Sequence, residues 1–201
     1  MLDAVCRGAR ACGLIDERPE GAVDATGYES RHVSAHYRTK LPHTKAFTVP
    51  HFPKLTVLCH TGSFLWVAAK VSQGPSNDSP DFGPTVMDGS IRVPFDRLLA
   101  DAAYDSVNHH HLCREVLGIR SLVVPVNQRG SRRWPRDRYR RQLKRRFPCR
   151  VYRRRVLVES AFSQDKRTLG SALRGRSDKA RAQELLMRVL THNLMILQWL
   201  N

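Results

Sequence analysis

The chain is 201 residues long, 41% hydrophobic and carries a formal charge of +16, with a pI near 10.5. Length and apolar content suffice for one domain with a real core but not for two, and the charge points to a polyanionic partner. No apolar stretch is long enough for a signal peptide or a membrane span, and Cys6, Cys12, Cys59, Cys113 and Cys149 are scattered, odd in number and lack zinc-site pairing, so the reading is a cytoplasmic protein with reduced thiols.

The first 20 residues read as a short arm, and residues 21–201 as a single domain. Ala22 to Tyr28 is an apolar run containing Asp24, bounded by Pro19 and Gly21, and reads as a strand. Leu55 to Cys59 and Phe64 to Val71 are β-branched and aromatic runs separated by Thr61-Gly62, which predicts a hairpin. The three runs together suggest a three-stranded antiparallel sheet. Gln73 to Pro84, rich in Gly, Pro, Ser, Asn and Asp, reads as a loop leading into a short helix near Thr85 to Gly89.

Arg97 to Asp101 then reads as a buried strand that ends in an acid. Asp105 or Ser106 caps a helix to about Leu117, Gly118 stops it, and Ser121 to Val126 is a further strand, which implies a parallel pair with a right-handed crossover. Consecutive histidines, His109 to His111, point in different directions on such a helix and do not converge on a metal. From Arg129 to Arg155 there are 14 Lys or Arg and one acid, Asp137. Arg is 13 of those 14, and Trp134, Tyr139, Phe147 and Tyr152 are interleaved with it. Planar guanidinium forks grip phosphate in two places and aromatic rings stack on bases, so Arg132, Arg133, Arg136 and Trp134 are candidate contacts to nucleic acid.

A helix is expected from about Tyr152 to Lys166, packed through Val158 and Phe162. On it Tyr152, Arg155, Glu159 and Lys166 fall within about 60° of one another. A single carboxylate among surplus cations makes sense where an anion docks together with a metal. A last amphipathic helix opens at Ser177-Asp178, with Leu186, Val189, Leu190, Leu194 and Leu197 at helical spacing.

If the first strand lies beside the fourth, Asp24 comes close to Asp101. Cutting a phosphodiester requires an activated oxygen nucleophile and a stabilised leaving oxygen, and two hard cations with carboxylate ligands supply both. Asp24, Asp101 and Glu159 form an inventory suited to Mg²⁺.

In chain order the motifs AVDATGY around Asp24, GPSNDS at Gly74 to Ser79, LLADAAYDS at Leu98 to Ser106, the Tyr152, Arg155, Glu159, Lys166 helix and the tail ELLMRVLTHNLMIL resemble those of DDE transposases of bacterial insertion sequences. Ala103 stands where that family usually has Gly. The resemblance implies a ribonuclease H-like α/β fold, a mixed sheet of antiparallel hairpin strands and parallel strands flanked by helices. It makes residues 21–201 the catalytic domain, with a basic insertion at about 129–150. It further implies metal-dependent cleavage and strand transfer of insertion-sequence DNA, with Asp24, Asp101 and Glu159 binding two Mg²⁺ ions, for which Mn²⁺ can substitute. Tyr152, Arg155 and Lys166 would contact the backbone of the transposon-end DNA. The expected partner is double-stranded DNA, transposon ends and target, bound by a nucleoid-associated homodimer. Only 23 residues precede Asp24, too few for a separate helix-turn-helix domain. The alternative is therefore a truncated, non-catalytic DNA-binding remnant, and a more distant one is an RNA-binding protein with a basic arm.

Overall fold

The computed structural model describes residues 1–30, 51–127 and 134–199. Its centre is a five-stranded mixed sheet built from β1 (Glu20–Gly27), β3 (Phe52–His60), β4 (Trp66–Gly74), β5 (Arg97–Ala100) and β6 (Ser121–Val123), in the order β4-β3-β1-β5-β6. The first strand pairs antiparallel with β3 and parallel with β5. Antiparallel β3–β4 and parallel β5–β6 complete the ladder. Strand β2 (Glu29–Ser30) pairs apart from it with β7 (Ala172–Leu173).

Because side chains alternate across a pleated strand, the sheet buries both faces. One face presents Val23, Leu58, Leu98 and Leu122 to side chains of α1 (Leu2–Ala11), α2 (Ser79–Arg92) and the segment that begins with α3 (Val107–His111), among them Cys6, Phe82 and Cys113. The other presents Ala22, Val57, Leu99 and Val123 to Val158 and Phe162 of α6 (Val156–Leu169) and to Leu185 and Val189 of α7 (Asp178–Trp199). Helices thus cover a mixed sheet on both sides, the expected ribonuclease H-like class.

Several elements depart from the sequence reading. The helix near Thr85 is far longer, running from Ser79 to Arg92 with Pro84 inside it. Packing overrides the turn-like composition: Phe82 and Val86 are fully buried, and at Gly89 an added Cβ would stand 2.5 Å from Leu58 Cδ2, so the missing side chain lets α2 lie close on β3. The helix after Ser106 is regular only over α3 and then widens into a π turn at Leu112–Val116. Strand β6 is three residues long, half the expected run, and α1 is an element the reading does not anticipate at all. The basic stretch forms α4 (Arg138–Arg145) and α5 (Cys149–Tyr152), and a 3₁₀ turn at Arg153–Arg155 joins α5 to α6.

In the last helix Leu186 and Leu194 face outward rather than inward, 46% and 54% exposed. Polar residues take the sheet-facing places: Asn193, fully buried, accepts from Trp66 N at 2.8 Å and donates to Trp66 O at 2.9 Å. His192 stacks on the Trp66 ring with centroids 4.0 Å apart. A polar pair that satisfies backbone groups in place is compatible with burial, which hydrophobic periodicity alone does not reveal.

Candidate active site

Asp24 lies in β1, and the β1–β5 register pairs Val23 with Ala100, so the next residues along the two parallel strands are Asp24 and Asp101. By alternation Asp24 shares its face with Ala22, and Asp101 shares its face with Leu99. That is the face α6 covers, and Glu159 sits on α6 one residue after the fully buried Val158. Two neighbouring strands and the helix packed over them therefore bring the three predicted carboxylates to one region.

Arg155 organises that region. Its Nη1 lies 3.3 Å from Asp24 Oδ2, and its Nη2 pairs with Glu159 Oε1. Asp24 also accepts from Ala25 N at 2.9 Å. Even so, burial pushes the Asp24 carboxyl up to about 6; the Ala25 amide and Arg155 oppose the rise, and the nearby Glu159 and Asp101 charges add to it. The rise is that of a carboxylate withdrawn from water by more than its amide and guanidinium partners offset. Asp101 caps the 3₁₀ turn Ala102–Tyr104, accepting from Ala102 N. Among the described residues, no group of three His, Cys, Asp or Glu side chains is disposed to hold a metal ion.

The other predicted contacts are distributed unevenly. Tyr152 lies half-buried at the end of α5, its ring edge-on to Phe147 at 5.1 Å and within 6.0 Å of the Arg155 guanidinium. Lys166 points to the end of β1, donating to Thr26 Oγ1 at 2.6 Å and Gly27 O at 2.9 Å, and burial lowers its pKa. Tyr152 and Arg155 precede α6 across the tightened turn, so the four residues share one helical run but not one regular helix. In the basic stretch Trp134 is 58% exposed and Arg136 is exposed, whereas Arg132 and Arg133 lie outside the described residues. Arg140 is turned inward to Asp105, and Arg138 pairs with Glu115 at the surface, while Arg141, Arg145 and Arg146 face solvent.

A family model described as the transposase DDE domain matches residues 16–194. The chain belongs to that family. Its function is accordingly transposition-related, its nature that of a polynucleotidyl transferase, and its general partner DNA. The mixed sheet, with parallel and antiparallel neighbours and flanking helices, is the ribonuclease H-like fold of such a transposase. No curated protein and no solved structure matches the chain. Among the described residues of this transposase domain, no helix is long and apolar enough to cross a membrane.

Two charged clusters near the carboxylates escape sequence reasoning. Lys54, 4% exposed, bonds the Ser76 and Asn77 carbonyls and pairs with Asp78 at 2.9 Å and Asp81 at 3.3 Å. Asp105, with a fully buried carboxylate, takes both nitrogens of an Arg140 fork. The only sign of either in the sequence is that Asp78 falls inside the GPSNDS motif and Asp105 inside LLADAAYDS.

Proposed function

We propose that this chain cleaves DNA strands and transfers their ends, with Asp24, Asp101 and Glu159 as the catalytic carboxylates. The observation that carries the reading is their convergence: Asp24 and Asp101 follow a paired register position on neighbouring parallel strands, and Glu159 is tied to Asp24 through Arg155. Water attacks the phosphodiester at the transposon end, the P–O3′ bond breaks, and the transposon keeps a free 3′ hydroxyl while the flanking strand keeps the 5′ phosphate; that hydroxyl then attacks a phosphodiester of target DNA and displaces the target's 3′ oxygen, which takes up the proton.

The donor chemistry suits two hard cations, Mg²⁺ or Mn²⁺, because all three side chains are oxygen donors; in the present arrangement, closed by Arg155, no three acids among the described residues are grouped to hold an ion. When bound, such ions make the attacking oxygen nucleophilic and stabilise the leaving oxygen. Arg155 neutralises Asp24 and Glu159 in their present arrangement, and both carboxylates must release it before they can share another cation. Tyr152 and Arg155 then face the DNA backbone beside the cut, while Lys166 steadies the end of β1 next to it. Trp134 and Arg136, together with Arg132 and Arg133, hold flanking duplex through phosphate pairing and stacking. Two ends must be cut for a segment to move and one chain carries one carboxylate cluster, so the reading places a homodimer on double-stranded DNA, associated with the nucleoid in the cytoplasm.

A second reading, a DNA-binding remnant without catalysis, is favoured by the same Arg155, since a guanidinium already occupying two of the three carboxylates suits a site that has lost its metal role. Nicking of supercoiled plasmid in Mg²⁺ or Mn²⁺, with wild type beside Glu159→Gln, separates the two. Metal-dependent nicking absent from the variant supports catalysis. Tight, salt-sensitive binding without nicking supports the remnant.

A further inference from the structure

The carboxylate of Asp105 is a junction of four separate pieces of chain. It belongs to the residue that closes the 3₁₀ turn opened by Asp101, with Asp105 N donating to Ala102 O at 3.1 Å. It accepts from Asn127 N, just beyond β6, at 2.7 Å. From α4 it accepts both Arg140 Nε at 2.9 Å and Arg140 Nη2 at 2.7 Å. On α3, His110 is 1% exposed and places Nε2 3.8 Å from Asp105 Oδ1. Arg140 is itself pinned at both ends, because its backbone N donates to the capping Asp137 at 2.9 Å and its Nη2 also reaches Asn127 O at 3.2 Å.

What makes this junction consequential is that α4 is held from its surface. No residue of that helix is buried. A further polar anchor is Glu115, which pairs with Arg138 and accepts from the Tyr139 hydroxyl, and the Tyr139 ring lies under the Arg114 guanidinium at 4.5 Å. A helix without a buried apolar face is positioned by its polar contacts, and a bidentate guanidinium–carboxylate pair fixes orientation as well as distance.

We propose that Asp105 is a positioning residue and that its fork with Arg140 couples the basic helix α4 to the turn carrying Asp101. Motion of α4 on DNA is transmitted to the second carboxylate of the site, and Arg140, neutralised by Asp105, is not itself a phosphate contact. The proposal rests on strand cleavage at Asp101 for its functional meaning, but the mechanical coupling can be measured without cleavage.

Hydrogen exchange on the full chain tests it, comparing wild type with Arg140→Gln, Arg140→Lys and Glu115→Gln. The amides of Tyr104 and Asp105 are protected by Asp101 O and Ala102 O, at 2.9 and 3.1 Å, and report the turn directly. In Arg140→Gln they and the α4 amides should exchange together, about tenfold faster, as expected for loss of a charge-assisted pair. Arg140→Lys should recover part of the protection. Glu115→Gln should loosen α4 and leave the turn unchanged. Wild-type exchange at Tyr104 and Asp105 in Arg140→Gln, or equal loosening of the turn by Glu115→Gln, overturns the coupling.

Salt dependence of duplex binding supplies the second readout. Arg140→Gln should leave the slope of log affinity against log salt unchanged, because a paired Arg releases no counterion; a slope lower by roughly one makes Arg140 a phosphate contact and overturns the proposal. In plasmid nicking, Arg140→Gln should lower turnover at saturating DNA with KM unchanged, and a rise in KM alone counts against the coupling. If the wild type itself does not nick, the catalytic reading fails while exchange and slope still decide the clamp.

Discussion

Two aspartates, one buried on a helix and one half-buried on a strand, meet opposite fates. Asp81, on α2, is 5% exposed and surrounded by partners: Ser72 Oγ at 2.7 Å, Lys70 Nζ at 3.1 Å and Lys54 Nζ at 3.3 Å. Burial pushes its carboxyl up, but Ser72, Lys70 and Lys54 outweigh it and hold the pKa below the ordinary value. Asp24, on β1, has one guanidinium shared with Glu159 and two acids for company, and its carboxyl rises to about 6. The first arrangement is complete without a ligand and locks α2 to β3 and β4. The second is left with its burial only partly offset, as expected of a site whose stability is sacrificed to binding or chemistry.

The sharpest test of that contrast is activity. Asp24→Asn, Asp101→Asn and Glu159→Gln should each lower metal-dependent nicking by more than about 100-fold, beyond what loss of an outer-shell partner costs, while duplex binding persists. Asp81→Asn should leave the nicking rate per folded molecule near wild type. A variant of the three that nicks fully drops out of the site. Stability should show the reverse order: Asp81→Asn leaves Lys54 and Lys70 facing a neutral amide and should cost about 3 kcal/mol, read as a Tm lower by roughly 6–12 °C. An unchanged Tm would mean that Asp78 and the Ser76 and Asn77 carbonyls satisfy Lys54 by themselves.

The contrast also explains what could be read from the sequence and what could not. The strand around Asp24 and the strand ending at Asp101 were legible because apolar runs bounded by turn residues report burial directly, and their adjacency followed from the order of elements. Helix α2 was misjudged because Pro80, Gly83 and Pro84 speak for a loop; what outweighs them is contact with β3 and the Lys54–Asp81 pair, which joins residues 27 positions apart in sequence. Likewise the tail helix was found but rotated, since Asn193 and His192 read as polar surface until their partners on Trp66 and Phe64 are known. Among the carboxylates, spacing identified Glu159 on α6, yet nothing local indicated that Arg155 would bind it and Asp24 at once.

A smaller effect follows from the raised pKa of Asp24. Its folded value near 6 lies above the ordinary 3.8, so the folded chain holds that proton more tightly and its contribution to stability is lost as pH rises from about 4 through 6. Two units at about 1.4 kcal/mol each set the scale at about 3 kcal/mol, part of which Asp24→Asn forfeits by leaving Arg155 with Glu159 alone. The variant should therefore match wild type near pH 4 and melt about 2–8 °C higher at pH 7, for a net gain of about 1–2 kcal/mol. Thermal melts across that range check the sign. A gap that opens toward low pH instead would show that Arg155 compensates Asp24 fully.

The smallest effect separates the arginines paired with an acid from the others in the basic stretch. Arg138 and Arg140 are neutralised by Glu115 and Asp105, and Arg154 lies 3.1 Å from Glu20. Arg136 and Arg141 face solvent, and Arg141 donates to the Pro135 and Arg136 carbonyls, which cancel none of its charge. Phosphate binding by a charge that is not already neutralised releases counterions, so Arg136→Ala with Arg141→Ala should reduce the steepness of salt-dependent duplex binding by roughly one unit for each phosphate left unpaired, and Arg132→Ala with Arg133→Ala by a similar amount. Arg154→Ala should change it less. Because the formal charge removed per substitution is the same, a slope that fell equally at every position would show that the stretch acts as a diffuse cationic surface, and that pairing with an acid does not select which arginines meet DNA.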